Sequence, residues 1–320
     1  MNAIDKRIAE LQLYRAESTA PDDLDEYWER TLLMARGRPL SSKVEQSESL
    51  SPYMKISKVV YEGYDETPIH GTFIVPAFVQ EERLPCTVIF HGYTGSKNIP
   101  EQYADWLLMG FAVFAVDVRG QGGETGNLLP QHYGMSKGWI TQGLLDPEQS
   151  YYRAIAVDAC KALEWAAKQP EVDPARVIAA GVSQGGGLAL IASALSDIPA
   201  ATIADIPNMC HMDYGISHST GSLSEAADFV SRHPEHLGAV LSTLSYFDMV
   251  HLCDRLTKPV FFSVGFKDPV CPPETVFAVY NRVNAPKQIQ MYPFNGHQVS
   301  GGHFRKIIRF LIDWKICSGN

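Results

Sequence analysis

The apolar positions along the chain switch between two periods, and the switches lay out an alternation of helices and strands. Within 22–36, Leu24, Tyr27, Trp28, Thr31, Leu32 and Ala35 recur at spacings of three and four, which is one stripe of a helix. The stretches 55–62 and 69–75 read as two strands. Gly63-Tyr64-Asp65-Glu66-Thr67-Pro68 between them carries turn chemistry, so the pair predicts an antiparallel hairpin. Beyond the hairpin, 86–90, 111–116, 177–182 and 259–265 are short unbroken apolar runs, as strands covered on both faces of a parallel sheet require. Helical patterns alternate with them at 151–168, 185–195, 274–283 and 304–316. The prediction is an α/β fold: a doubly wound, mostly parallel sheet with an N-terminal antiparallel extension.

Two stretches interrupt this rhythm. Residues 120–147 are rich in Gly, Pro and Gln. Residues 207–244 hold four histidines and many Ser and Thr. A structureless loop of that length is unusual in a compact domain, so the second stretch predicts a cap insertion with helices of its own. No internal repeat divides the chain. One domain over 1–320, with a cap at about 207–244, is the expected organisation.

Composition narrows the partners. The 320 residues carry 27 Lys plus Arg against 36 Asp plus Glu, a net charge of −9, and 45% are hydrophobic. That apolar mass excludes global disorder, and the acidic balance argues against nucleic acid and anionic membrane surfaces. Met1-Asn2-Ala3-Ile4-Asp5-Lys6-Arg7 has no apolar core of a leader peptide, and no apolar run approaches the ~18 residues of a membrane span. Cys86, Cys160, Cys210, Cys253, Cys271 and Cys317 form no C-x-x-C pair, so free thiols in a reducing cytoplasm are expected. His211, His218, His233, His236 and His251 lack metal-ligand spacing and read as polar cap surface. Neither a metal nor another cofactor is called for.

The sharpest motif is Gly181-Val182-Ser183-Gln184-Gly185, between an apolar run and a helical pattern. This is the G-x-S-x-G nucleophile elbow in its proper context. Strand and helix crowd the turn, so side chains at 181 and 185 would clash, and the strain exposes Ser183 Oγ. A serine hydroxyl needs a base. Asp268 lies 85 residues after Ser183, beyond the strand at 259–265, and His297 lies 29 further, beyond a candidate strand at 288–293. The order Ser, Asp, His is the one this elbow demands. His297 is the expected proton acceptor and Asp268 its orienting carboxylate. The expected oxyanion donors are the N–H groups of Gln184 and of Tyr93, the latter in the loop His91-Gly92-Tyr93-Thr94-Gly95. Arg119 reads as a structural arginine bonding carbonyls or acids around the site.

These residues resemble carbohydrate esterase family seven, whose members are acetyl xylan esterases and cephalosporin C deacetylases. The resemblance rests on Arg119-Gly120-Gln121, Gly181 to Gly186, Asp268 and the His297 turn. It extends through His91-Gly92-Tyr93, Trp106, Gly138 to Thr141, Tyr151-Tyr152-Arg153, 194–199, 244–248 and 272–278, most of 20–315. It implies an α/β-hydrolase fold, a cytoplasmic location and a ring-shaped homohexamer with inward-facing chambers. It implies removal of acetyl groups from small acetylated sugars and from cephalosporins, and acetyl transfer to peroxide. Carried over, Ser183, Asp268 and His297 are the triad, and Tyr93 and Gln184 are the oxyanion donors, with Tyr93 also contacting substrate. Two positions depart from the family pattern: Gln298 stands where Glu usually follows the histidine, and Val182 where Gly often precedes the serine. The stretch 208–241 diverges as well.

Three readings follow. The first is an acetylesterase working through an acetyl-serine intermediate. The second is another hydrolase on the same scaffold, a longer-chain esterase or a peptidase. The third is a non-enzymatic binding or assembly relative.

Overall fold

The computed structural model describes residues 1–132 and 138–317. Its strands are β1 (Ser42–Ser47), β2 (Met54–Glu62), β3 (Pro68–Pro76), β4 (Leu84–Phe90), β5 (Ala112–Val116), β6 (Val172–Val182), β7 (Ala201–Asp205), β8 (Val260–Gly265) and β9 (Lys287–Tyr292). They form one sheet in the order β1-β2-β3-β5-β4-β6-β7-β8-β9. The first three strands pair antiparallel, β3 joins β5 antiparallel, and every later pairing is parallel. The predicted hairpin is β2–β3, and the unbroken apolar runs are β4, β5, β6 and β8. Every residue of β5, β7 and β8 is buried, which is why those strands show no alternation.

The helices are α1 (Ala3–Leu13), α2 (Leu24–Arg36), α3 (Ala104–Leu108), α4 (Tyr151–Ala167), α5 (Gln184–Leu195), α6 (Met212–His218), α7 (Leu223–Arg232), α8 (Leu237–Ser245), α9 (Met249–Leu252), α10 (Pro273–Arg282) and α11 (His303–Asp313). One face of the sheet is covered chiefly by α4, α5 and α10, the other by α3 and α11. α11 shows the logic of an outer helix: Ile307, Ile308, Phe310 and Leu311 are buried, while Arg305, Lys306 and Arg309 face water. α5 is apolar all round and is sandwiched between sheet and α4. α6, α7 and α8 lie within 207–245 and pack on one another, with α7 against the 139–141 turn. Among the described residues, no helix is long and apolar enough to cross a membrane.

Five elements have no counterpart in the sequence pattern: α1, α3, α9, β1 and β7. Ser42–Ser47 is an edge strand that is polar but for Val44, exposed along nearly all its length, and pairs with β2 through its backbone. Ala201–Asp205 is short and small in side chain, and its strand character comes from being enclosed between β6 and β8.

Chain order places the site. From β4 the chain crosses to β5 on one side, then returns past β4 to β6 on the other. The carboxyl ends of β4 and β6 flank this switch point, with Phe90 in register with Gly181. Here the backbones approach closely. A Cβ on Gly185 would sit 1.9 Å from the Phe90 carbonyl oxygen, and one on Gly181 would sit 2.3 Å from Gly185 main-chain atoms. Arg119 has the structural role expected of it. Its guanidinium is fully buried, with Nε and Nη2 at 2.6 and 2.8 Å from the Asp158 carboxylate and Nη1 3.0 Å from Asp65. It thereby ties the β2–β3 turn to α4 behind the switch point.

The glycine contacts make a paired prediction. Gly185→Ala forces main chain against main chain and is expected to cost about 1–3 kcal/mol. Gly238→Ala, in α8 with open space around it, is expected to hold or raise stability. Midpoints of urea unfolding measure both; equal midpoints for the two variants would contradict the crowding.

Candidate active site

At the end of β6 the chain turns sharply into α5, with Ser183 at φ 58 and ψ −119. A positive φ is costly for a residue with a Cβ, about 1–3 kcal/mol, and persists only when its surroundings fix it. Here three backbone bonds do so. The Ser183 N–H donates to the Asp205 carbonyl at 2.9 Å, and its own carbonyl accepts from Gly187 and Asn208 N–H at 3.0 and 2.9 Å. The hydroxyl is thus presented at the N-terminus of α5, where the helix dipole favours negative charge.

Asp268 and His297 come together from neighbouring loops. The Asp268 carboxylate Oδ1 accepts the Val270 and Cys271 N–H groups at 2.8 and 2.9 Å, and Oδ2 accepts from His297 Nδ1 at 2.8 Å. With Nδ1 carrying the proton, Nε2 is left as the free base. The two loops are clamped backbone to backbone: Lys267 N–H donates to the Asn295 carbonyl, and a Cβ on Gly265 would sit 2.3 Å from the Gly296 carbonyl. Ser183 is not joined to this pair: among the described residues, its hydroxyl makes no hydrogen bond to the His297 ring. Its side chain lies instead by Cys271. Burial pushes the Cys271 thiol up, the Asp268 carboxylate adds to this, and the Ser183 hydroxyl opposes it. This thiol carried no signal in the sequence.

The loop after β4 supplies the second candidate oxyanion donor. It turns at Gly92–Gly95, closed by the Gly95 N–H to the Gly92 carbonyl at 3.0 Å, with Thr94 at φ 67. Among the described residues, neither the Tyr93 N–H nor the Gln184 N–H meets a hydrogen-bond acceptor. Two free donors at the mouth of the elbow are what an oxyanion needs. His91 holds the loop from below. Its Nε2 accepts the Val118 N–H at 2.8 Å, so Nδ1 carries the proton and donates to the Gly92 carbonyl, also at 2.8 Å. Burial lowers the pKa of this imidazole and keeps it neutral.

Gln121 links the two donors. Its Oε1 accepts the Thr94 N–H at 2.8 Å, and its Nε2 donates to Gln184 Oε1 at 2.9 Å and to the Tyr151 hydroxyl at 3.0 Å. It stood in the quoted motif Arg119-Gly120-Gln121, yet its role is visible only in three dimensions. The Tyr93 ring is also engaged. Its hydroxyl donates to Glu225 Oε2 at 2.7 Å and accepts the Trp139 N–H at 2.9 Å, and its ring meets Trp139 edge to face. α7 therefore reaches the loop after β4 through Glu225, a contact that sequence spacing gave no means of finding.

The remaining singled-out residues fall as follows. Gln298 is exposed, beside His297, and Val182 is 43% exposed at the elbow. His218, His233 and His236 are wholly or partly exposed in the 207–244 stretch. His211 departs from the surface reading: it is buried, with its ring on the Tyr14 hydroxyl, because the N-terminal segment folds over it. His251 likewise accepts the Thr19 N–H.

The sequence profile of the acetyl xylan esterase (AXE1) family matches residues 1–314. The chain is similar to the acetyl esterase Axe7A of Xylanibacter ruminicola, with 25% identity over 303 residues; the match covers 89% of this chain but 65% of that protein. Among solved structures, it resembles an acetyl xylan esterase from Paenibacillus sp. R4, at 35% identity and TM-score 0.91 over 96% of this chain and 99% of that one. It also resembles acetyl xylan esterase 1 from Thermoanaerobacterium sp., at 29% identity and TM-score 0.90 over 96% and 98%. The chain belongs to the acetyl xylan esterase family, carboxylic ester hydrolases of the α/β-hydrolase fold.

Proposed function

We propose that this protein is a serine acetylesterase that cleaves O-acetyl groups from small substrates, acetylated xylo-oligosaccharides first and cephalosporin C second. The single observation that carries the reading is the Asp268–His297 pair at 2.8 Å beside an elbow that presents Ser183. The relatives named above are acetyl esterases, which supports acetyl over longer acyl groups.

In the proposed reaction, the ester carbonyl sits between Ser183 Oγ and the N–H groups of Tyr93 and Gln184. His297 Nε2 closes on Ser183 Oγ and takes its proton as Oγ attacks, and Asp268 stabilises the imidazolium. The two free N–H groups receive the oxyanion. His297 then gives the proton to the departing alcohol, leaving acetyl-Ser183. Water, deprotonated by the same imidazole, attacks this ester, and His297 returns the proton to Ser183 as acetate leaves. Every proton passes through one ring, so the ring must begin each half-reaction neutral.

A chain-length series of p-nitrophenyl esters tests the reading. Acetate is expected to be turned over fastest, with each added methylene costing about 1–3 kcal/mol in kcat/KM. Ser183→Ala is expected to be folded and inert. A preference for octanoate, or hydrolysis by Ser183→Ala, would refute the acyl specificity or the nucleophile respectively.

The pH profile tests the base. Protonated His297 cannot accept the Ser183 proton, so kcat/KM is expected to fall toward acid. Burial depresses the His91 imidazole below its ordinary range, so the loop after β4 keeps its neutral anchor in mild acid. The acid limb should therefore follow one proton, about tenfold per pH unit. A flat profile, or an initial two-proton slope, would contradict this.

A further inference from the structure

We infer that Asp205, His303 and Tyr292 form a positioning network that fixes the loop carrying His297 against the strand end that carries Ser183. The inference rests on the proposed role of His297 and goes beyond it. None of the three residues is placed to meet an ester at the mouth of the elbow.

The network is a second carboxylate–imidazole pair, and it is buried. His303 Nε2 lies 2.6 Å from Asp205 Oδ1, and His303 Nδ1 lies 2.7 Å from the Tyr292 hydroxyl. Asp205 and His303 are each 5% exposed and Tyr292 is 8% exposed. In the neutral ring, Nε2–H donates to the carboxylate, which leaves Nδ1 to accept the Tyr292 O–H. Burial and the Asp205 charge raise the pKa of that phenol, so it stays a donor.

What these bonds join gives the network its meaning. Tyr292 is the last residue of β9 and His303 the first of α11, so residues 293–302, with His297 among them, leave the core at one and return at the other. The Tyr292–His303 bond closes this loop at its base. Asp205 is the last residue of β7, and its carbonyl accepts the Ser183 N–H. Asp205 thus holds the nucleophile with its main chain and the base-bearing loop with its side chain. Both ends of the loop are referred to the strand that fixes the elbow.

The surroundings argue against incidental packing. The trio lies against an apolar layer, with the Phe261 ring 5.7 Å from the His303 ring and Ile307, Phe310 and Leu311 on the same helix face. Apolar residues of equal volume would fill that space without the desolvation of a carboxylate. They would not fix direction, whereas a bonded imidazole holds its partners to a set distance and angle. Proton transfer between Ser183 and His297 requires such placement, since an error near 1 Å can cost about a hundredfold in rate.

The test uses p-nitrophenyl acetate with Tyr292→Phe and His303→Gln, each alone and combined with His297→Ala. Tyr292→Phe removes one oxygen and keeps the ring, so it is the variant most certain to fold. With His297 present, kcat is expected to fall about tenfold in Tyr292→Phe and further in His303→Gln, with KM within about twofold. With His297 absent, the same substitutions should leave the residual rate unchanged, because their effect passes through that ring. Full kcat in folded Tyr292→Phe and His303→Gln, beside a His297→Ala reduced to a residual rate, overturns the network alone. So do equal losses with and without His297, which would mark a merely structural role. An active His297→Ala overturns the parent reading, and the network's role with it.

Discussion

The site depends on one close approach, that of the β6–α5 elbow to the end of β4. The Gly185 Cα sits so near the Phe90 carbonyl that no side chain fits, and Gly181 lies equally tight under Gly185. That contact brings the N-terminus of α5 against the loop that follows β4. The Gln184 and Tyr93 N–H groups consequently open at one place without acceptors. The strained φ of Ser183 is the other face of the same constraint, since the chain can reverse from strand to helix in so little room only by entering the left-handed region.

Polar groups around this contact fix direction where apolar packing fixes only distance. Gln121 ties the loop after β4 to Gln184, and neutral His91 holds the same loop from below. Arg119 secures the N-terminal hairpin to α4 with a fully buried charge, bonded to the buried Asp158 carboxylate and the partly buried Asp65 carboxylate. Glu225 carries the connection into α7 through the Tyr93 hydroxyl, so residues 207–245 are mechanically joined to the loop that would hold the oxyanion. A change in this stretch can therefore reach the loop after β4 through Glu225 without touching the elbow.

Most of the sheet could be read directly from the chain because buried parallel strands advertise themselves as short apolar runs. Ser42–Ser47 and Ala201–Asp205 could not, since one is polar but for Val44 and the other becomes a strand only between two others. The elbow was legible because its glycines answer a local steric demand. Asp268 and His297 were legible through their order after Ser183, and the structure places them in contact. Gln121, Glu225, Cys271 and the Asp205–His303–Tyr292 trio were not legible in role. They act across separations of 11 to 132 residues, with side chains whose types occur many times in the sequence. His211 was misread as surface for the same reason: the Tyr14 that meets it lies 197 residues away.

The central claim is that Ser183 carries the acyl group between the two half-reactions. Rapid quenching of the enzyme during turnover of p-nitrophenyl acetate, followed by peptide mass spectrometry, tests it most directly. The account predicts one acetyl group per chain, on the peptide containing Ser183 and on that serine. Acetyl on a different residue, or turnover with no acetylated peptide under conditions where p-nitrophenol is released in a burst, would contradict it.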